Sequence, residues 1–201
     1  MQTFGELMFT QDVRAEQETR GSADHYARPY RELAIGPREQ EFIETRTSFY
    51  MGTVNSDGWP YVQHRGGPAG FLKVVDDTTL AFADYPGNRQ YVSTGNLAGD
   101  SRVSLFLMDY PRRARLKILA RAEVVEAGDE PELTATLAAP NDRPVEKIFK
   151  LTVAALDWNC PKYITPRFDE EEIEAMLGPR MRSMAERIRE LEAKLQDAGL
   201  N

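Results

Sequence analysis

Two short stretches concentrate the residue types that hold anions: Gln63-His64-Arg65-Gly66-Gly67-Pro68 and Asp84-Tyr85-Pro86-Gly87-Asn88-Arg89. Each follows a run read as a β-strand and pairs a bare turn with an arginine. The second is expected to open directly into a helix. Arginine offers a planar, bidentate set of donors, glycine lets backbone approach a ligand closely, and a helix N-terminus presents free N–H groups and partial positive charge. Together they predict one phosphorylated cofactor between Arg65 and Arg89, with the backbone of Gly66 and Gly67 close to it. His64 is read as a hydrogen-bonding wall more than as an acid–base group. Lys73 reads as a strand-face lysine, and Asp84 as an isolated turn carboxylate or cap.

The elements that must carry these loops read mostly as short strands. Ser48–Val54 and 59–64 flank the turn signal Asn55-Ser56-Asp57-Gly58. Further strands are expected at 71–75, 79–83, 101–108, 115–125 and 147–158, with helices from Gly36-Pro37, over about 88–97 and over 129–139. Short antiparallel strands with few intervening helices predict a small β-barrel. Residues 1–35 read as a polar, irregular arm, 36–168 as the barrel, and 169–201 as a helical extension interrupted at Gly178-Pro179. In that extension Met181, Met184, Ile188, Leu191 and Leu195 alternate spacings of three and four. Such a seam fits either a helix packing on its own barrel or pairing with a second chain.

With 201 residues, 41 % of them hydrophobic, the chain is long enough to bury a core. A net charge of −7 argues against a general nucleic-acid binder. The single cysteine, Cys160, rules out an intrachain disulfide and a cysteine-rich zinc site, and two histidines, His25 and His64, do not suggest a metal centre. No basic-then-apolar leader opens the sequence and no long apolar run occurs. A cytoplasmic protein without a membrane span is therefore expected.

The ordered succession of Asp57-Gly58-Trp59-Pro60, His64-Arg65-Gly66-Gly67-Pro68-Ala69-Gly70-Phe71, Asp84 to Arg89, Gly95-Asn96-Leu97, Asp109-Tyr110-Pro111-Arg112-Arg113 and Asp157-Trp158-Asn159-Cys160-Pro161 resembles the FMN-binding proteins related to pyridoxamine 5′-phosphate oxidase. The resemblance implies a mainly β fold with peripheral helices, the FMN-binding split β-barrel. It also implies a homodimer with FMN in clefts between the subunits. Arg65 and Arg89 would then be phosphate ligands, assisted by Asn88 and by Gly66 and Gly67. Tyr85 and Gln90 would add contacts to the flavin chain, and Trp158 and Asn159 would come from the other subunit, near the ring. Lys117 reads, like Lys73, as a strand-face lysine, or, where such a strand faces a cleft, as a contact to the flavin pyrimidine ring. The vitamin B6 oxidase itself has a Ser-Arg-Lys helix start where this chain has Gly87-Asn88-Arg89-Gln90, and its C-terminal substrate motif has no counterpart here. What the resemblance implies is an FMN-dependent oxidoreductase working between a reduced nicotinamide or small organic donor and an acceptor. A flavin sensor or carrier, and a barrel holding haem or a deazaflavin, are the alternatives.

Overall fold

The computed structural model describes residues 3–27, 34–140, 143–158 and 161–199. Asn159 and Cys160 lie outside these. The chain divides into two compact units, Met1–Asp109 with Ala114–Lys162, and Tyr110–Arg113 with Tyr163–Asn201.

The first unit begins with three short helices, α1 (Phe4–Met8), α2 (Gln11–Thr19) and α3 (Ala23–Tyr26). The expectation of an irregular arm is corrected here. Thr3 caps α1 through a reciprocal bond pair with Glu6, and the Thr10 hydroxyl accepts from Val13 N at the start of α2. After α4 (Pro37–Glu44) come the strands β1 (Ser48–Val54), β2 (Pro60–Gly66), β3 (Lys73–Val74), β4 (Thr79–Asp84), β5 (Arg102–Asp109), β6 (Ala114–Glu126) and β7 (Lys147–Trp158). Helix α5 (Val92–Gly99) lies between β4 and β5, and α6 (Pro131–Leu137) between β6 and β7.

All ladders are antiparallel, in the order β2-β1-β5-β6-β7-β4-β3. The sheet is mainly hairpins, and among the described residues no ladder joins β2 to β3. It nevertheless folds back on itself. Phe49 on β1 meets Phe82 on β4 with ring centroids 5.4 Å apart, although three strands lie between β1 and β4 in the order. Phe82 stacks on Phe149 of β7 at 4.8 Å. Around these rings Met51, Leu80, Leu105, Leu107, Leu116, Ile118 and Leu151 are fully buried, forming one apolar interior. A smaller cluster of Ala81, Leu137 and Ile148 seats α6 on the sheet. The Arg46 guanidinium, 3.0 Å from the buried Asp109 carboxylate, also donates to the Met108 carbonyl at 3.2 Å. A charge buried in this way needs such a partner.

The second unit is dominated by α7 (Glu170–Asp197). Asp169 caps it through a reciprocal bond pair with Glu172, and an acidic first turn suits the helix dipole. The expected interruption at Gly178-Pro179 does not occur. Pro179 removes one backbone donor, yet the helix runs through it. No helix among the described residues is long and apolar enough to cross a membrane.

Candidate functional site

Alternation along β2 sorts its side chains. Tyr61, Gln63 and Arg65 are half-buried on one face, whereas Val62 and His64 are exposed on the other. Arg65 sits opposite Phe49 in the β1–β2 ladder, on the side that closes over the core. Its guanidinium lies 4.9 Å from the Phe149 ring centroid and 5.4 Å from that of Phe82. One terminal nitrogen is ion-paired with Asp84, the last residue of β4. The Arg65 side chain is only 13 % exposed, and its Nε is buried without a partner. Asp84 is thus not the isolated turn carboxylate expected. It has the parity of Phe82 on β4, so it points inward, and that parity was the sequence signal for its role.

Two depressions share Arg65, Asp84, Tyr85 and Gly87 as a common wall. The larger, about 490 Å³, is bordered by the 64–71 loop, Lys73 and the segment 136–140. The smaller, about 310 Å³, is bordered by Gln63, Asn88, Arg89, Gln90 and the start of α5. Both fall in the size range of small-ligand pockets.

The start of α5 differs from expectation in a way that matters. The helix does not follow Gly87 directly but begins at Val92. Between them the backbone turns twice through the left-handed region, at Arg89 (φ 58°) and Tyr91 (φ 51°). Asn88 builds this turn, its Oδ1 accepting from Gln90 N at 3.1 Å. Tyr91 is the N-cap of α5 but its side chain accepts no bond from the helix N–H groups, and the first intrahelical bond runs from Gly95 N to Tyr91 O. Val92, Ser93 and Thr94, whose N–H groups precede that bond, border the smaller depression. Ser93 Oγ donates to Gln63 Oε1 at 2.7 Å, tying the helix start to β2.

Arg89 stands at the mouth of this depression, fully exposed, with Nε 3.4 Å from the Tyr91 hydroxyl. That hydroxyl donates to Glu146 at 2.8 Å. The Tyr91 hydrogen bond, followed by the charges of Tyr91 and Glu146, holds the Arg89 guanidinium above its ordinary pKa. The cavity wall therefore offers two fixed cations, tempered by Asp84 and Glu146, beside an open helix N-terminus.

The glycines work differently from the expectation. Gly67 N–H donates to Thr47 O at 2.9 Å and is already committed. A Cβ at Gly67 would lie 2.7 Å from Phe71 Cγ, so packing inside the loop demands a bare backbone there. At Gly66 a Cβ would meet the His64 ring at 3.1 Å. His64 borders the larger depression, but its ring faces Tyr50 at 5.6 Å, on the outer face of β2. Tyr85 accepts a hydrogen bond from Ala139 N at 2.7 Å and so anchors the far wall.

Arg65, Tyr85, Asn88, Arg89 and Gln90 are thus gathered around one cavity. Lys117 and Trp158 are not brought to it within this chain. Lys117 Nζ sits 2.5 Å from Asp157 and 4.5 Å from the Phe4 ring centroid. The Trp158 indole donates to buried Glu39 at 2.8 Å, beneath the Arg38 guanidinium at 4.2 Å and against Phe42. The Gln63–Ser93 bond and the Arg89–Tyr91–Glu146 chain were missed from sequence, because each depends on contacts between distant segments.

A profile of the family described as Pyridoxamine 5′-phosphate oxidase matches residues 35–159. HupZ of Group A Streptococcus, in a variant and an unmutated form, superposes with TM-scores of 0.52 and 0.51 at 14 % and 13 % identity. The superpositions cover 62 % and 66 % of this chain and 99 % of each HupZ chain. A candidate pyridoxamine 5′-phosphate oxidase of Lactobacillus delbrueckii is 23 % identical over 63 % of this chain and 93 % of its own, with a TM-score of 0.47. No curated protein sequence matches the chain.

Proposed function

The chain belongs to the pyridoxamine 5′-phosphate oxidase family, and from that premise we propose that it binds FMN and works as an oxidoreductase. The observation that carries the reading is the two-lobed depression across Arg65, where Arg89 and the start of α5, which has no side-chain cap bond, border the smaller lobe and the Arg65–Asp84 pair borders both. This donor set fits a phosphate monoester. Arg89 and the N–H groups of Ser93 and Thr94 would hold its oxygens, Asn88 would fix the turn that presents them, and Arg65 would add charge from below. When bound, FMN supplies two-electron chemistry between a reduced nicotinamide or small organic donor and an acceptor.

The protein's own part is binding, orientation and field. Asp84 holds Arg65 in one orientation, which spares the guanidinium reorganisation when an anion arrives. We place the protein in the cytoplasm as a homodimer, with Trp158 and Asn159 of the second subunit completing the cofactor cleft. The test is the visible absorption spectrum of the purified protein, with identification of whatever heat releases. A flavin spectrum and released FMN support the reading. A protein that is colourless and takes up no added FMN overturns it.

A further inference from the structure

We propose that the apolar stripe of α7 pairs in parallel with the same stripe of a second copy of this chain, as a short two-stranded coiled coil. The inference rests on the second unit alone and does not depend on the flavin reading.

Leu177 extends the seam seen in the sequence. Leu177, Met181, Met184, Ile188, Leu191 and Leu195 follow at spacings of four, three, four, three and four, and all are 44–63 % exposed. In heptad terms Met181, Ile188 and Leu195 occupy position a, and Leu177, Met184 and Leu191 occupy d. A β-branched residue at a beside leucine at d, as in Ile188 and Leu191, favours the parallel two-stranded form.

The flanking charges give the same orientation. Position g carries Arg180, Arg187 and Lys194, while position e carries Gly178, Ala185 and Glu192. A parallel pair brings g against e of the following heptad, so Arg187 meets Glu192 of the second copy, twice by symmetry. An antiparallel pair would bring the basic g positions against one another, and like charges at that contact are unfavourable. Glu190, on the outer side of α7, already holds Arg187 at 2.6 Å and Lys194 at 2.7 Å. These pairs are exposed and therefore weak enough to exchange for a pairing across the seam.

The experiment uses the full chain with Cys160→Ser, carrying either Leu191→Cys at a seam position or Ala193→Cys on the outer face. Under mild oxidation the Leu191→Cys protein should form a disulfide dimer about 100-fold faster than the Ala193→Cys protein, because pairing raises the local thiol concentration. Adding Ile188→Asp to Leu191→Cys should remove that advantage. Equal rates for the two cysteines would overturn the proposal. So would cross-linking of Leu191→Cys only when mixed with Met181→Cys, the antiparallel signature, or a cysteine at 191 buried from both a partner and a small maleimide. FMN binding measured on the same samples separates failure of this proposal from failure of the flavin reading.

Discussion

Arg65, at the end of one edge strand of the sheet, is ion-paired with Asp84, at the end of a strand near the opposite edge. The pair bridges the split that hydrogen bonding leaves open, and it does so over the Phe82 and Phe149 rings. Fold and site thus share one contact. Removing one partner leaves the other charge nearly buried. We expect Arg65→Met or Asp84→Leu alone to destabilise the protein more than the double variant does. The coupling in a double-mutant cycle should be about 1–3 kcal/mol. Urea unfolding of the four proteins measures it, and strictly additive effects would show that the bridge is not an energetic unit.

Gly67 and Gly95 should respond oppositely to the same change. At Gly67 an added methyl collides with Phe71, and Gly67→Ala should cost about 1–3 kcal/mol. At Gly95, inside α5, a Cβ meets nothing within 4 Å, and Gly95→Ala should stabilise by about 0.5–1 kcal/mol. Chemical denaturation reads both. A neutral Gly67→Ala would refute the packing account of that loop.

Much of the scaffold was legible in the sequence. The β1 and β7 bounds follow from apolar alternation ended by turn residues, and the glycine-rich and Asp-Tyr-Pro-Gly loops fall where expected. The start of α5 was not legible. Tyr91 and Arg89 adopt left-handed backbone that their residue types disfavour, and the Asn88 turn and the bond from Tyr91 to Glu146 hold them there. The helical start of the chain was masked by short, polar segments whose caps outweigh weak periodicity. The Arg65–Asp84 pair needed the sheet to fold back, which no local pattern announces.

Asp100, the C-cap of α5, should make stability fall in acid. Hydrogen bonds from the Arg102 side chain and then its backbone N–H pull the Asp100 carboxyl down to about 2 from an ordinary 3.8. Because the folded state lowers this pKa, the contribution is complete above pH 3.8 and is lost as pH falls towards 2. The melting-temperature advantage of the native protein over Asp100→Asn should therefore be constant from pH 7 to 5 and shrink towards pH 2.5. An advantage that does not change with pH would contradict the assignment.

Arg89 is exposed and, among the described residues, its side chain bonds Tyr91 alone, so it should matter for ligand and not for folding. Arg89→Gln should leave the melting temperature of the ligand-free protein within about 1 °C. It should weaken FMN binding by about 10–100-fold, the worth of one or two charge-assisted bonds. Isothermal titration beside a thermal melt separates the two effects, and unchanged affinity would remove Arg89 from the site.

The central claim is that the cavity between Arg65 and the start of α5 recognises a phosphate. The most direct measurement is titration of the flavin-free protein with FMN and with riboflavin, which share the ring and differ in that group. Binding of FMN tighter by about 100-fold or more is predicted. Equal affinity for the two would contradict the account, because the arginines and the open helix end would then contribute nothing to holding the cofactor.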